Sequence, residues 1–159
     1  MKLKNYFTEF ASPIGTLQLR GTDSSLTGVF MEPHTQPRDA VRDDAPLRDA
    51  RLQLEEYFAG ERCEFSVALD AMGTEFQRRV WEALRAIPFG ETVSYGDIAR
   101  RIGNPRAVRA VGLANGRNPI AIIVPCHRVI GANGSLTGYG GGLERKRFLL
   151  ALEKCAMEK

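Results

Sequence analysis

The sequence predicts an α/β (α+β) chain of two small domains, residues 1–73 and 74–159, on three observations. The first half alternates like strands between turns. The second half holds capped helices, two of them joined by a tight Gly-Asn turn into a helix-turn-helix shape. The charge changes sign between the halves: residues 1–73 carry 8 Lys+Arg against 12 Asp+Glu, residues 74–159 carry 14 against 7. A basic half on a chain of net charge +3 points to a polyanionic partner, nucleic acid first. A solvated basic surface without function is the alternative on charge alone.

At 159 residues the chain can bury a core but is short for two large domains. No apolar run reaches membrane-span length, and Met1-Lys2-Leu3-Lys4 has no apolar segment behind its lysines, so no membrane partner and a cytoplasmic location are expected. Cys63, Cys126 and Cys155 are widely spaced with no Cys-x-x-Cys pair, which argues against a disulfide framework. With only His34 and His127 available, no metal site and no cofactor are expected.

In the first half, strands are expected over Tyr6–Phe10, Thr16–Arg20 and Leu26–Met31, with turns at Ser12–Gly15 and Gly21–Asp23. Residues 33–46, with three prolines, read as an exposed loop. A helix over Leu47–Phe58 would bury Leu47, Leu54 and Phe58 and end at Gly60. Phe65–Leu69 alternates like one more strand.

The second half opens on Thr74-Glu75-Phe76-Gln77, a capping box, followed by a face of Phe76, Val80 and Leu84. Ser94 caps the next helix and Gly103 closes it. Asn104-Pro105 is expected to restart a helix at once, with Val108, Val111 and Ala114 inward and Arg106, Arg109 and Arg117 outward. A structural hairpin would look similar. The small residues Ala107, Ala110, Gly112 and Ala114 suit close approach to a groove with little sequence readout.

Ile120–Val124 is a β-branched apolar run that reads as a buried strand ending at Pro125. Cys126, His127 and Arg128 follow it. A thiol beside an imidazole and a guanidinium sits where a thiolate, the nucleophilic form, can be stabilised. A buried filler cysteine is the plain alternative. Neighbours on a strand point opposite ways, so cooperation of Cys126 with His127 needs a turn or a bridging water. Gly138–Gly142 is a glycine-rich loop that allows backbone to approach a ligand. A final helix, Glu144–Met157, would turn Phe148, Leu149 and Leu152 inward. Glu153 follows at the edge of that face, where a carboxylate could orient an imidazole; taken alone, it reads as a surface residue.

Pro125-Cys126-His127-Arg128-Val129-Ile130 resembles the active-site signature of the O6-alkylguanine-DNA alkyltransferases. Phe89–Tyr95, Asn104-Pro105, Arg109–Gly112, Asn118-Pro119 and Tyr139–Leu143 also fall in that family's order and spacing, so the resemblance covers residues 74–155 well. For the N-terminal half it implies a small ribonuclease-H-like domain.

The resemblance implies a direct-reversal DNA-repair transferase. It would flip the base and move a methyl or other alkyl group from O6 of guanine irreversibly onto Cys126, one lesion per molecule. O4-alkylthymine is a second candidate substrate. Cys126 would be the nucleophile, His127 its base through a bound water, Glu153 the holder of the imidazole and Asn118 a hinge residue. Arg109 would take the place of the flipped nucleotide and Tyr95 would press on the adjacent phosphate, with Asn104 also on the DNA side. Tyr139, Val129 and Gly140 would surround the base, Tyr139 donating to its ring.

The implied partner is double-stranded DNA, entered from the minor groove by a monomer, with cooperative binding along DNA as an option. Gly140 stands where a serine occurs in some members and Ala121 where a proline does, which implies a somewhat open pocket. Rival readings are a lesion binder that does not transfer, a helix-turn-helix regulator and a cysteine hydrolase. The acceptor cysteine speaks against the first and the sparse base-reading side chains against the second.

Overall fold

Strand β1 (Asn5–Ser12) turns through Pro13-Ile14 into β2 (Gly15–Gly21), with Ser12 opposite Gly15. Gly15 has φ 106°, a conformation that glycine adopts without steric cost. Strand β3 (Leu26–Phe30) runs antiparallel to β2, and β4 (Ala40–Arg42) runs parallel to β1, giving the order β3-β2-β1-β4. The computed structural model describes residues 3–158. Leu17 and Leu19 of β2 are wholly buried, as is Gln18 between them. Gln18 is satisfied on the opposite face by donating to the Thr35 carbonyl at 3.0 Å. Helix α1 (Arg48–Phe58) adds Ala50, Leu54 and Tyr57 to this core.

Three expectations for this half need correction. Residues 33–46 are not all loop: Ala40–Arg42 form β4, a strand too short to show a period and set by its pairing with Asn5–Phe7. Tyr57 rather than Phe58 completes the buried face of α1. Residues 65–69 do alternate in burial, but they pair only through one bridge, Leu26 with Leu69. An extended segment with one bridge is not a strand.

Contacts divide the chain into two compact units. The first ends at Met72 and takes in Pro119–Ala121; the second comprises Gly73–Asn118 and the chain from Ile122 on. Pro119–Ala121 count with the first because Val29 N–H donates to Pro119 O and Val29 bridges Ile120.

In the second unit, α2 (Glu75–Arg85) begins with the expected capping box, Thr74 accepting from Gln77 N–H while the Gln77 side chain accepts from Thr74 N–H. Its buried face is Val80, Trp81 and Leu84. The Trp81 indole N–H donates to Ala114 O at 2.8 Å, pinning α2 to α4 (Val108–Gly116). Strand β5 (Val93–Ser94) leads into α3 (Tyr95–Arg101), capped by Ser94 and followed by Gly103 at φ 77°.

Helix α4 starts later than the Asn104-Pro105 pair predicts. Asn104 O accepts from Ala107 N–H, so proline occupies the second position of a β-turn and the first helical residue is Val108. Val108 is consequently exposed, while Val111, Ala114 and Asn115 are buried.

Residues 121–124 are turns, not the expected strand. Their β-branched side chains are apolar because the segment is buried, and burial alone cannot separate a strand from a coil of turns. Ile122 has φ 73°, outside any strand geometry. A 3-10 turn over Cys126–Arg128 then leads into β6 (Val129–Ile130), parallel to β5. Helix α5 (Leu143–Met157) buries Lys146, Leu149 and Glu153, while Phe148, expected inward, is exposed.

Candidate active site

The segment before the cysteine is held by side chains rather than by a ladder. Asn118, just past α4, donates its side-chain N–H to Val124 O at 2.8 Å and to the Cys126 sulfur at 3.1 Å. Asn115 of α4 is buried and donates to Cys126 O at 3.4 Å. The Cys126 N–H closes back on Val124 O at 2.8 Å. Both asparagines therefore grip the turn that presents the sulfur. Asn115 has no motif around it that marks it in the sequence.

The 3-10 turn at Cys126–Arg128 answers the strand problem: the chain bends at the point where cooperation of Cys126 and His127 requires it. His127 is wholly buried and its Nε2 lies 2.5 Å from Oε2 of Glu153, itself 1 % exposed. Arg128 donates to Oε1 of the same carboxylate at 2.8 Å and to Oε2 at 3.1 Å, and to Ile87 O at 2.7 Å. The Gly90 N–H donates to Glu153 as well, at 3.2 Å.

The electrostatics follow from burial and these bonds. Burial works against ionisation of Glu153, but hydrogen bonds and charges from His127 and Arg128 prevail and bring its pKa to about 2. Burial lowers the pKa of His127 against the pull of Glu153. Because Arg128 already neutralises the carboxylate, neutral imidazole is the form this site favours. A neutral His127 with Nε2–H directed at Glu153 leaves Nδ1 as its acceptor, and Nδ1 is buried with no partner among the described residues.

Burial pushes the Cys126 thiol up, while the Asn118 hydrogen bond, the charge of Lys146 and the backbone N–H groups of Cys126 and His127 pull it down. The sequence sets His127 and Arg128 beside the thiol as the groups that would stabilise a thiolate. In the structure Arg128 is committed to Glu153, and Asn118 and Lys146 take that role.

Burial, first, and the charge of Cys126, second, hold the Tyr139 phenol well above its ordinary pKa. Its hydroxyl lies near enough to Cys126 to feel that charge, yet makes no hydrogen bond of good geometry among the described residues. The phenol is therefore a protonated donor beside the thiol.

Val129 is wholly buried in β6, and its carbonyl accepts from Lys146. Gly140 is exposed, and a Cβ there would meet Gly116 O at 3.6 Å. Tyr95 lies on Gly112 of α4, and its hydroxyl donates to Thr137 O at 3.1 Å. Arg109 and Asn104 are exposed in and just before α4, where Val108, Ala110, Leu113 and Arg117 are also exposed. Cys126, His127, Glu153, Asn118 and Tyr139 thus form one cluster, and Arg109 and Asn104 lie on the exposed side of the helix pair. Cys63 and Cys155 are exposed. Among the described residues no group of His, Cys, Asp and Glu could hold a metal ion, and no helix is long and apolar enough to cross a membrane.

Comparison with known proteins agrees with this geometry over nearly the whole chain. Residues 75–155 match the DNA binding domain of 6-O-methylguanine DNA methyltransferase, and residues 3–71 match its ribonuclease-like domain. A methylated-DNA–protein-cysteine methyltransferase of Mycolicibacterium paratuberculosis is 60% identical over 146 residues, covering 90% of this chain and 88% of that protein. One from Methanosarcina acetivorans is 57% identical over 152 residues, covering 93% and 97%. The crystal structure of Mycobacterium tuberculosis OGT in complex with DNA superposes with a TM-score of 0.91 at 58% identity, covering 95% of this chain and 94% of that one. With both halves matched in order and the site cysteine inside the matched region, the chain belongs to the 6-O-methylguanine DNA methyltransferase family.

Proposed function

We propose that this chain repairs DNA by direct reversal, moving an alkyl group from O6 of guanine in duplex DNA to the sulfur of Cys126. One observation carries the reading: a buried thiol sits with a neutral imidazole whose free nitrogen can accept a proton, and with a protonated phenol that can donate one. Such a set suits attack by sulfur on carbon with a poor leaving group.

The thiol proton passes to Nδ1 of His127 through a bound water, while Glu153 holds Nε2–H. The sulfur attacks the alkyl carbon, the carbon–O6 bond breaks, and its electron pair goes to guanine. Tyr139 donates its proton to the guanine ring, and the proton taken up by His127 then passes by way of water to the Tyr139 phenolate, leaving both side chains as they began. The product thioether has no easy leaving route, so each molecule acts once. O4 of alkylated thymine presents the same carbon–oxygen bond and is a second candidate substrate.

An alkyl carbon on O6 is hidden in the base stack, so the nucleotide must be extruded first. The exposed face of α4, with Arg109 among small and apolar side chains, suits minor-groove docking that scans any sequence. Arg109 takes the space the base vacates, Tyr95 presses on the adjacent phosphate, and Asn104 lies on the same DNA-facing side. A single copy suffices for all of these contacts.

The test is intact mass after incubation with duplex DNA carrying O6-methylguanine. The expected result is a gain of one methylene, mapped to Cys126 and saturating at one per molecule. An unchanged mass with clear lesion binding would replace this reading with that of a non-transferring binder.

A further inference from the structure

The exposed side of α4 carries one large side chain that neither the buried cluster nor the DNA contacts named above use. Leu113 is 64% exposed, more than any other large apolar side chain in the interior of a helix among the described residues. A single exposed leucine is ordinary on a protein surface, and its surroundings decide whether it means anything. On a helix those surroundings are the residues three and four positions away. Arg109 and Arg117 stand four before and four after Leu113, Ala110 and Gly116 three before and three after, and all four are exposed. The leucine therefore rises from a low floor of small residues between two guanidiniums.

Packing inside the chain does not call for that low floor. Neither Gly112 nor Gly116 has a positive φ. A Cβ at Gly116 would meet nothing within 4 Å, and one at Gly112 only the Tyr95 ring at an ordinary 3.9 Å. Glycine in a helix is less stable than alanine, so its use here keeps the surface beside Leu113 clear for a body outside the chain.

Charge identifies that body. Residues 98–143 hold six arginines and no Asp or Glu. Among the described residues Arg106, Arg109 and Arg117 enter no ion pair. Unpaired arginines on both sides of an aliphatic side chain match a groove walled by two phosphate strands, with sugar and base edges between them.

We propose that Leu113 is the wedge with which this chain opens duplex DNA, entering the minor groove beside Arg109 and unstacking the base step next to the lesion. The proposal rests on the repair reading, in which α4 docks in the minor groove. Four helical residues rise about 6 Å, close to two base-pair steps of about 3.4 Å. With α4 lying along the groove and Arg109 at the vacated nucleotide, Leu113 falls at a neighbouring step. Apolar wedges of this kind loosen the stack that holds a base in place. Arg109 then fills the space that the base leaves, and Leu113 lowers the barrier to its leaving.

The test is the fluorescence of 2-aminopurine placed beside O6-methylguanine, on each side in turn, in duplex DNA mixed with the full chain. Stopped flow records it ahead of transfer, and binding is measured in parallel at several salt concentrations. Wild type should brighten the probe as the step unstacks. Leu113→Ala should lose most of that signal and bind the lesion duplex about tenfold more weakly. The salt dependence of binding should keep its slope, because no phosphate contact is removed. Leu113→Met, which keeps the length and apolar character, should restore the signal. Since Leu113 is exposed, both variants should unfold at the wild-type temperature.

A Leu113→Ala protein with the wild-type signal and repair rate overturns the proposal. So does a loss of affinity accompanied by a shallower salt slope, which marks a displaced phosphate contact. Wild-type transfer to Cys126 together with an indifferent Leu113→Ala sinks the wedge alone. A wild type that binds no lesion duplex sinks the repair reading and the wedge together.

Discussion

His127 and Glu153 meet at 2.5 Å with both side chains removed from water, and the carboxylate that orients the imidazole is itself held by Arg128. The arrangement leaves a neutral imidazole with one defined acceptor nitrogen. It couples catalysis to stability, because the same carboxylate closes a buried ion pair.

Glu153→Gln should slow transfer to Cys126 by about 100-fold at neutral pH, within the range for loss of an oriented general base. Affinity for lesion DNA should be unchanged. Glu153→Ala should also destabilise the fold by about 3–5 kcal/mol, since it leaves the Arg128 guanidinium buried and unpaired. Single-turnover kinetics and denaturant unfolding check the two halves of this expectation. A fast Glu153→Gln would remove the carboxylate from the mechanism.

Acid should unfold the protein in two stages. His127 has a folded pKa below 6.5, so the unfolded chain binds its proton first and stability falls as pH drops below that value. Glu153 has a folded pKa of about 2 against 4.5, so its contribution is complete above 4.5 and is lost as pH falls toward 2. Urea midpoints measured between neutral and acid pH should decline across both windows. A curve flat from neutral pH down to 4.5 would mean that folding leaves the His127 pKa unshifted.

Cys126→Ser should retain lesion binding and lose transfer completely. The serine hydroxyl is isosteric enough to keep the Asn118 contact, yet far less nucleophilic. Mobility shift alongside intact mass distinguishes the two functions. Weakened binding in this variant would place the sulfur in DNA recognition as well.

Arg109→Ala should slow repair in duplex DNA more than it slows transfer from free O6-methylguanine. Its side chain is exposed on α4 and lies outside the buried cluster. Equal losses with both substrates would argue against a part in base flipping.

Gly140→Ser should be tolerated, with stability changed by no more than about 0.5 kcal/mol. Its Cβ would meet Gly116 O at an ordinary 3.6 Å, and φ there requires no glycine. If the wild-type pocket is open as the sequence implies, the serine should reduce the rate for bulky alkyl groups more than for methyl. Competition between O6-methylguanine and O6-benzylguanine measures the difference.

Several elements could be read residue by residue. The Thr74 and Ser94 caps, the stop at Gly103 and the β1–β2 turn are local devices whose hydrogen bonds join residues a few positions apart. The sequence misleads where the cause is distant. Ile120–Val124 has the composition of a strand, but Asn118 and the backbone beyond it hold its latter part as turns. Asn104-Pro105 carries helix-start chemistry, yet the pair closes a turn and the helix begins at Val108.

The site divides the same way. The sequence by itself singled out Cys126, its histidine neighbour, the basic helix pair and the family, because those signals lie in adjacent residues and fixed spacings. Only the tertiary structure decided that Glu153 is buried on His127, that Arg128 serves the carboxylate rather than the thiol, and that Asn115 and Lys146 belong to the site at all. Nothing around Lys146 in the chain distinguishes it from a surface lysine on an amphipathic helix. Its role arises from desolvation and from partners 9 and 17 residues away, which are set by packing and not by local order.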